Sequence, residues 1–171
     1  MAGKEIHSGQ IKEALMHYFR YKRGWVCSDE VYSGGFIGDI VVDTGKYTIE
    51  VEVKTSKGDL VQGEAKKMTG WHGRGKNKHD EWSKLRTNKF ALCVPAELKE
   101  VAEEWIAKTN KKYGLYIYSD KGWQIQDRIF TYKRGGMLHK NYDPKKYLYK
   151  IAKRLSSIRA LQLSTINRKR K

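Results

Sequence analysis

Apolar side chains recur along this chain at two spacings, and the change from one to the other marks out its elements. Ile11, Leu15 and the pair Tyr18-Phe19 follow Ser8 at helical intervals, which predicts a helix from Ser8 to about Arg20 with the serine as its cap. Trp25 to Tyr32 reads as a short strand, broken by Gly34-Gly35. Ile37 to Asp43 and Lys46 to Thr55 alternate apolar with polar positions, as two strands do around a Thr44-Gly45 turn. Asp59 caps a helix predicted to reach Thr69, and the polar stretch from Gly70 to Lys84 reads as a loop. Lys89–Val94 is an apolar run suited to a buried strand, and Pro95 opens a helix to about Lys112. Leu115–Tyr118 and Trp123–Ile129 read as strands, and Asp143-Pro144 starts a long helix striped by Leu148, Ile151, Leu155 and Ile158. That order predicts an α/β fold: a mixed sheet flanked by helices, with a basic C-terminal helical extension.

Chemistry concentrates in the second strand of the hairpin. Tyr47, Ile49, Val51 and Val53 fall on one face of it, and Thr48, Glu50, Glu52 and Lys54 on the other. A two-residue turn sets Ile40 opposite Ile49 and Val42 opposite Tyr47. Asp39 then lies opposite Glu50 and diagonal to Glu52, on the face that carries Lys54. Like charges across a hairpin repel, so this face calls for cations. Lys54 supplies one charge and a hard divalent metal with oxygen ligands the rest. The step of roughly 6.6 Å from Glu52 to Lys54 leaves room for a phosphate between such a metal and the ammonium. There a metal activates water and neutralises oxygens that gain charge. On this reading, removing Glu52 relieves repulsion and stabilises the metal-free protein. The plain alternative is a solvated charged face, which is what most alternating strands present.

Charge extends the picture. The chain has 171 residues, enough for one ordinary domain, and its 39% hydrophobic and 12% aromatic content argues against global disorder. The net charge is +16, and residues 121–171 hold 15 basic side chains against only Asp127 and Asp143, a surplus of 13. Such a distribution points to a polyanion partner; a solvated tail is the bland alternative. A membrane is disfavoured, because no run approaches the roughly 18–20 apolar residues of a span. No apolar signal region opens the chain, and Cys27 and Cys93 read as buried thiols of a reducing compartment, so a cytoplasmic setting is expected. Candidate nucleic-acid contacts are Lys57, Lys66, Lys67, Arg74, Lys76 and Lys78 after the hairpin, and Lys145, Lys146, Lys150, Lys153 and Arg154 on the last helix. Tyr142, Tyr147 and Tyr149 are interleaved with the latter, suited either to stacking on bases or to core packing. His72 and His79 lack cysteine partners, which leaves zinc weakly supported.

Gly38-Asp39 followed by Ile49-Glu50-Val51-Glu52-Val53-Lys54 resembles the PD-(D/E)XK nuclease superfamily. The continuation Thr55-Ser56-Lys57-Gly58-Asp59-Leu60, with Lys78-His79, Val94-Pro95 and Tyr113-Gly114-Leu115, is similar to its MmcB-like and phage-type branch, over about residues 6–118. The resemblance implies a restriction-endonuclease-like core over 1–120; the basic segment over 121–171 matches nothing in the family and reads as an extension packed on or continuing that core. The resemblance also implies Mg²⁺ or Mn²⁺ as cofactor and hydrolysis of DNA leaving a 5′-phosphate. Asp39 and Glu52 would be metal ligands, Lys54 would hold the phosphate and polarise water, and Glu13 of the first helix would be a further ligand. Glu50, Ser56 and His79 are secondary candidates. Gly38 stands where the family name has proline, and Glu50 is an extra acid. The expected activity is a Mg²⁺-dependent DNA endonuclease, structure-selective or weakly sequence-specific, in repair, recombination or phage DNA processing in a bacterial or phage-infected cell. Homodimerisation would allow both strands to be cut. The rivals are a noncatalytic basic DNA-binding protein, a restriction-type nuclease, and a ribonuclease acting on structured RNA.

Overall fold

A computed structural model describes residues 6–33, 36–63 and 87–169. Helix α1 (Ser8–His17) runs on into a π-helical turn (Tyr18–Lys22). Its N-cap is His7 rather than the predicted Ser8: the His7 N–H donates to Gln10 Oε1 at 3.1 Å, and Ser8 is already helical. Then come β1 (Val26–Ser33), β2 (Phe36–Asp43), β3 (Thr48–Val53), β4 (Lys89–Pro95), α2 (Lys99–Thr109), β5 (Gly114–Tyr118), β6 (Ile129–Lys133) and α3 (Pro144–Lys169). The six strands form one mixed sheet in chain order. β1, β2 and β3 are antiparallel, β4 and β5 continue parallel to β3, and β6 closes the far edge antiparallel.

One face of the sheet is closed by α1, whose Ile11, Ala14 and Leu15 bury against Ile40, Val42, Ile49, Val51 and Val53. On the other face, α2 covers β4 and β5 through Ala102 and Ile106, and α3 covers β1 and β2 through Tyr147 and Ile151. The apolar stripe predicted for the last helix is therefore displaced. Tyr147 and Ile151 pack on Val31 and Val41, while Leu148 and Leu155 stay exposed. Both cysteines are buried, and burial pushes the Cys27 thiol up to about 11. Among the described residues, no helix is long and apolar enough to cross a membrane.

Three further expectations are corrected. The connection between β2 and β3 is longer than two residues: Thr44 Oγ1 donates to the Tyr47 carbonyl at 2.8 Å, and Gly45 adopts φ +81. Ile40 consequently pairs with Val51 and Val42 with Ile49, two positions from the predicted register. A shift of two keeps every β3 side chain on its predicted face, because strand side chains alternate with period two. Trp123 is 94% exposed and no strand begins there. A 3₁₀ turn (Ile125–Arg128) intervenes, and β6 starts at Ile129, where Tyr118 offers a partner. Pro95 ends β4 instead of opening a helix; a 3₁₀ turn (Ala96–Leu98) precedes α2. Of the helix predicted after Asp59, the π turn Asp59–Gly63 is described, and the rest lies outside the described residues.

The segment between β6 and α3 is hydrogen-bonded to Asn88, just before β4, and to Asp43 at the end of β2. Leu138 N–H donates to the Asn88 carbonyl at 2.8 Å, and Asn88 Nδ2 to the Asn141 carbonyl at 2.7 Å. Tyr142 Oη then donates to Asp43 Oδ1 at 2.7 Å. This anchoring sets α3 along the outer edge of the sheet, over β1.

Candidate functional site

β2 and β3 part company near Asp39, at the end of the sheet where the parallel strands β3 and β4 terminate. Regular pairing ends at Ile40–Val51, and the next β3 amide turned toward β2, that of Val53, is taken by a side chain. Asp39 Oδ2 accepts it at 2.9 Å. Strict alternation fails here. Ile40 belongs to the α1 face, yet a Cβ placed on Gly38 would meet Glu50 Cγ at 3.0 Å and Val41 Cγ2 at 3.1 Å, on the opposite face. The strand twists through one position at Asp39. Its carboxylate therefore lies in the gap between β2 and β3 rather than on one face, as the alternation had predicted.

The neighbouring strand twists at the matching place. Glu30 holds φ +49, the left-handed region that non-glycine residues rarely adopt, and the ladder passes from Asp29–Ile40 to Val31–Gly38 around it. From this point a chain of alternating charge runs across the sheet edge. Arg154 Nη2 of α3 meets Glu30 Oε2 at 2.8 Å, Lys12 Nζ of α1 lies 3.7 Å from Glu30 Oε1, and the same ammonium reaches Asp39 Oδ1 at 2.9 Å. Burial works to lower the Lys12 pKa, but the hydrogen bond and charge of Asp39, aided by Glu30 and Asp29, outweigh it and leave it raised.

On the α2 side of the sheet, Glu50, Glu52 and Lys54 are all buried, at 1%, 2% and 3% exposure. Lys54 Nζ lies 3.9 Å from Glu52 Oε2 and 3.4 Å from Asp59 Oδ1. The backbone fixes this arrangement: Lys54 N–H donates to the Cys93 carbonyl at 3.0 Å, which holds the end of β3 against β4. Ser56 then caps the following turn, its Oγ accepting the Asp59 N–H at 3.2 Å. Asp59 is thus not the predicted cap. Its carboxylate is turned back to Lys54.

No protein-family model matches the chain, and neither the curated proteins nor the solved structures contain a match to it.

The other predicted residues separate into distinct places. Glu13 is exposed on α1, and its neighbour Lys12 is the residue that turns to Asp39. Lys57 and Ser56 are exposed just beyond β3. His79, Lys66, Lys67, Arg74, Lys76 and Lys78 lie outside the described residues. Lys145, Lys146, Lys150, Lys153 and Arg154 line a groove between α3 and β1. Among the described residues, no group of three or more His, Cys, Asp or Glu side chains is gathered as a metal site. The residues that sequence reasoning missed are Lys12, Glu30 and Asp59. Only Asp59 left a trace, as an acid five positions after Lys54 in the segment used for the family resemblance.

As a donor set, Asp39 and Glu52 suit a hard cation. Mg²⁺ binds through one or two carboxylates and completes its shell with water and substrate phosphate. Lys12 is the competing cation.

Proposed function

We propose that the chain is a Mg²⁺- or Mn²⁺-dependent nuclease that hydrolyses DNA phosphodiesters at the fork between β2 and β3. The observation that carries this reading is the Asp39–Val53 hydrogen bond. It holds one carboxylate against the backbone next to Glu52, while buried Lys54 stands two positions along the same strand. Charged side chains buried to this degree, at the ends of parallel strands, are costly to maintain and are the usual material of active sites. The resemblance of Gly38-Asp39 and Glu52-Val53-Lys54 to the PD-(D/E)XK motif supports the same assignment.

In this mechanism Asp39 and Glu52 would hold the cation, which when bound would supply positive charge at the phosphate and acidity to a water. Lys54, positioned by Glu52 and Asp59, holds a phosphate oxygen and orients the attacking water. Asp59, 3.4 Å from the ammonium, aims it. The Lys12 ammonium, 2.9 Å from Asp39 Oδ1, would have to give way to such a cation. The basic surface of α3 retains the polyanion.

The Lys12–Asp39 pair also favours a second reading, a noncatalytic DNA-binding protein in which lysine permanently fills the cation position. One assay separates the two. Plasmid, branched and single-stranded DNA, and RNA, are incubated with the protein plus Mg²⁺ or Mn²⁺, alongside chelator and Lys54→Ala controls. Products that vanish with chelator and with Lys54→Ala support the nuclease. Binding with a steep salt dependence and no product supports the alternative, and cleavage of RNA alone would reassign the substrate.

A further inference from the structure

The groove between β1 and α3 has a volume of about 910 Å³ and is walled by charge and aromatic rings together. Its basic side chains are Lys145, Lys146, Lys150, Lys153 and Arg154, against the acids Glu30 and Asp143. Both acids are already engaged. Glu30 is held by Arg154 and Lys12, and Asp143 Oδ1 caps α3 by accepting the Lys145 N–H at 3.0 Å. Among the described residues, no carboxylate pairs with Lys145, Lys150 or Lys153. Two tyrosines stand in the same walls with their rings in solvent, Tyr32 at 59% and Tyr149 at 71% exposure, and the Lys150 ammonium lies 5.5 Å from the Tyr32 ring centre.

We propose that this groove binds an unpaired nucleic-acid strand, with phosphates on the α3 lysines and bases stacked on Tyr149 and Tyr32. A duplex would contact the lysines but leave both rings unused, because its bases are already stacked on one another. An unpaired strand offers a π-face at every base, worth about 1–3 kcal/mol per stacked base. Lys145, Lys150 and Lys153, which meet no carboxylate among the described residues, beside open aromatic faces fit that ligand better than an acidic peptide, which has no base to stack. Burial, and after it the charge of Lys146, lower the Lys150 pKa, and an anion between the two ammoniums offsets that repulsion. The groove is linked to the fork through Arg154, Glu30, Lys12 and Asp39. A strand lying in it approaches the carboxylates from the β1 edge, which makes single-stranded tails or flaps the substrate class. This rests on the proposed function only for the cutting; the binding stands without it.

The test is fluorescence anisotropy of the full chain with a labelled oligothymidine and with a blunt duplex of equal phosphate number, in chelator so that nothing is cut. Tyr149→Ala is expected to weaken oligothymidine binding about 5-fold or more while leaving duplex binding unchanged. Lys153→Gln should weaken both, and Lys108→Gln on exposed α2 neither. A melting curve for each variant confirms folding. An unchanged oligothymidine affinity in both Tyr149→Ala and Tyr32→Ala overturns the proposal. So does an equal loss for duplex, or equal capture of vesicles containing phosphatidylserine that compete with the oligonucleotide. A separate Mg²⁺ cleavage assay with Lys54→Ala keeps the two claims apart. Cleavage without groove binding leaves the nuclease standing, and groove binding without cleavage leaves the groove standing.

Discussion

Asp39 Oδ2 accepts the backbone N–H of Val53 at 2.9 Å, closing with a side chain the gap where β2 leaves β3. The same carboxylate offers its other oxygen to Lys12. It therefore has two separable roles, as a backbone acceptor and as a charge. Asp39→Asn can keep the first and loses the second. Asp39→Asn, Glu52→Ala and Lys54→Ala are each expected to lower cleavage by about 10²-fold or more while DNA affinity in chelator stays within about 2-fold, as read by product gels and anisotropy. A loss of binding equal to the loss of cutting would place these residues in the DNA contact instead.

Lys12 competes with a cation for Asp39. Lys12→Met removes the competitor and keeps an unbranched aliphatic side chain at this position of α1. Calorimetric titration with Mn²⁺ should show a several-fold tighter midpoint than the natural chain, with some loss of thermal stability. Unchanged or weaker metal binding would mean that Lys12 is merely part of the frame.

Glu52 stands beside a buried ammonium, so its removal does not simply relieve repulsion. The sequence predicts that a chain lacking Glu52 gains stability. The structure reverses the sign, because Glu52 and half-exposed Asp59 both neutralise Lys54. Glu52→Gln is expected to cost about 2 kcal/mol in urea unfolding of the metal-free protein. Glu52→Gln combined with Lys54→Met should recover much of that loss, since the pair is then removed as a unit.

Tyr142 provides a pH signature for the segment between β6 and α3. Burial, followed by the hydrogen bond and charge of Asp43, raises its hydroxyl to about 12. An acid whose folded pKa is raised contributes stability that is complete below the unfolded value, about 10, and is lost as pH rises toward the folded one. Between pH 10 and 12 the natural chain should therefore lose stability more steeply than Tyr142→Phe, measured by denaturant midpoints. Parallel curves would show that the Tyr142–Asp43 bond does not anchor α3.

Gly38 is close to Glu50 for a steric reason. A Cβ at this position would press on Glu50 Cγ at 3.0 Å and on Val41 Cγ2 at 3.1 Å, and Glu50 is buried with little room to yield. Gly38→Ala is expected to lower the melting temperature by several degrees, consistent with about 1 kcal/mol or more of overpacking. An unchanged melting curve would show that β2 has slack at the fork.

Period-two alternation in Thr48–Val53 was enough to place Glu50, Glu52 and Lys54 on one face, because the pleat assigns faces whatever a strand pairs with. Helical spacing likewise revealed α1 and its buried Ile11 and Leu15. Tertiary structure decided the rest. The Thr44–Tyr47 hydrogen bonds, not the apolar pattern, set the β2–β3 register, and both registers keep the same faces. The twist at Asp39 depends on Glu30 across the ladder and on Glu50 beneath Gly38. Lys12 and Asp59 reach Asp39 and Lys54 from other elements, and α3 buries Tyr147 rather than Leu148 because of where the segment before it delivers it. Local patterning reports which way a side chain points from its own backbone. Which charge it meets is settled by the folding of distant segments onto one another.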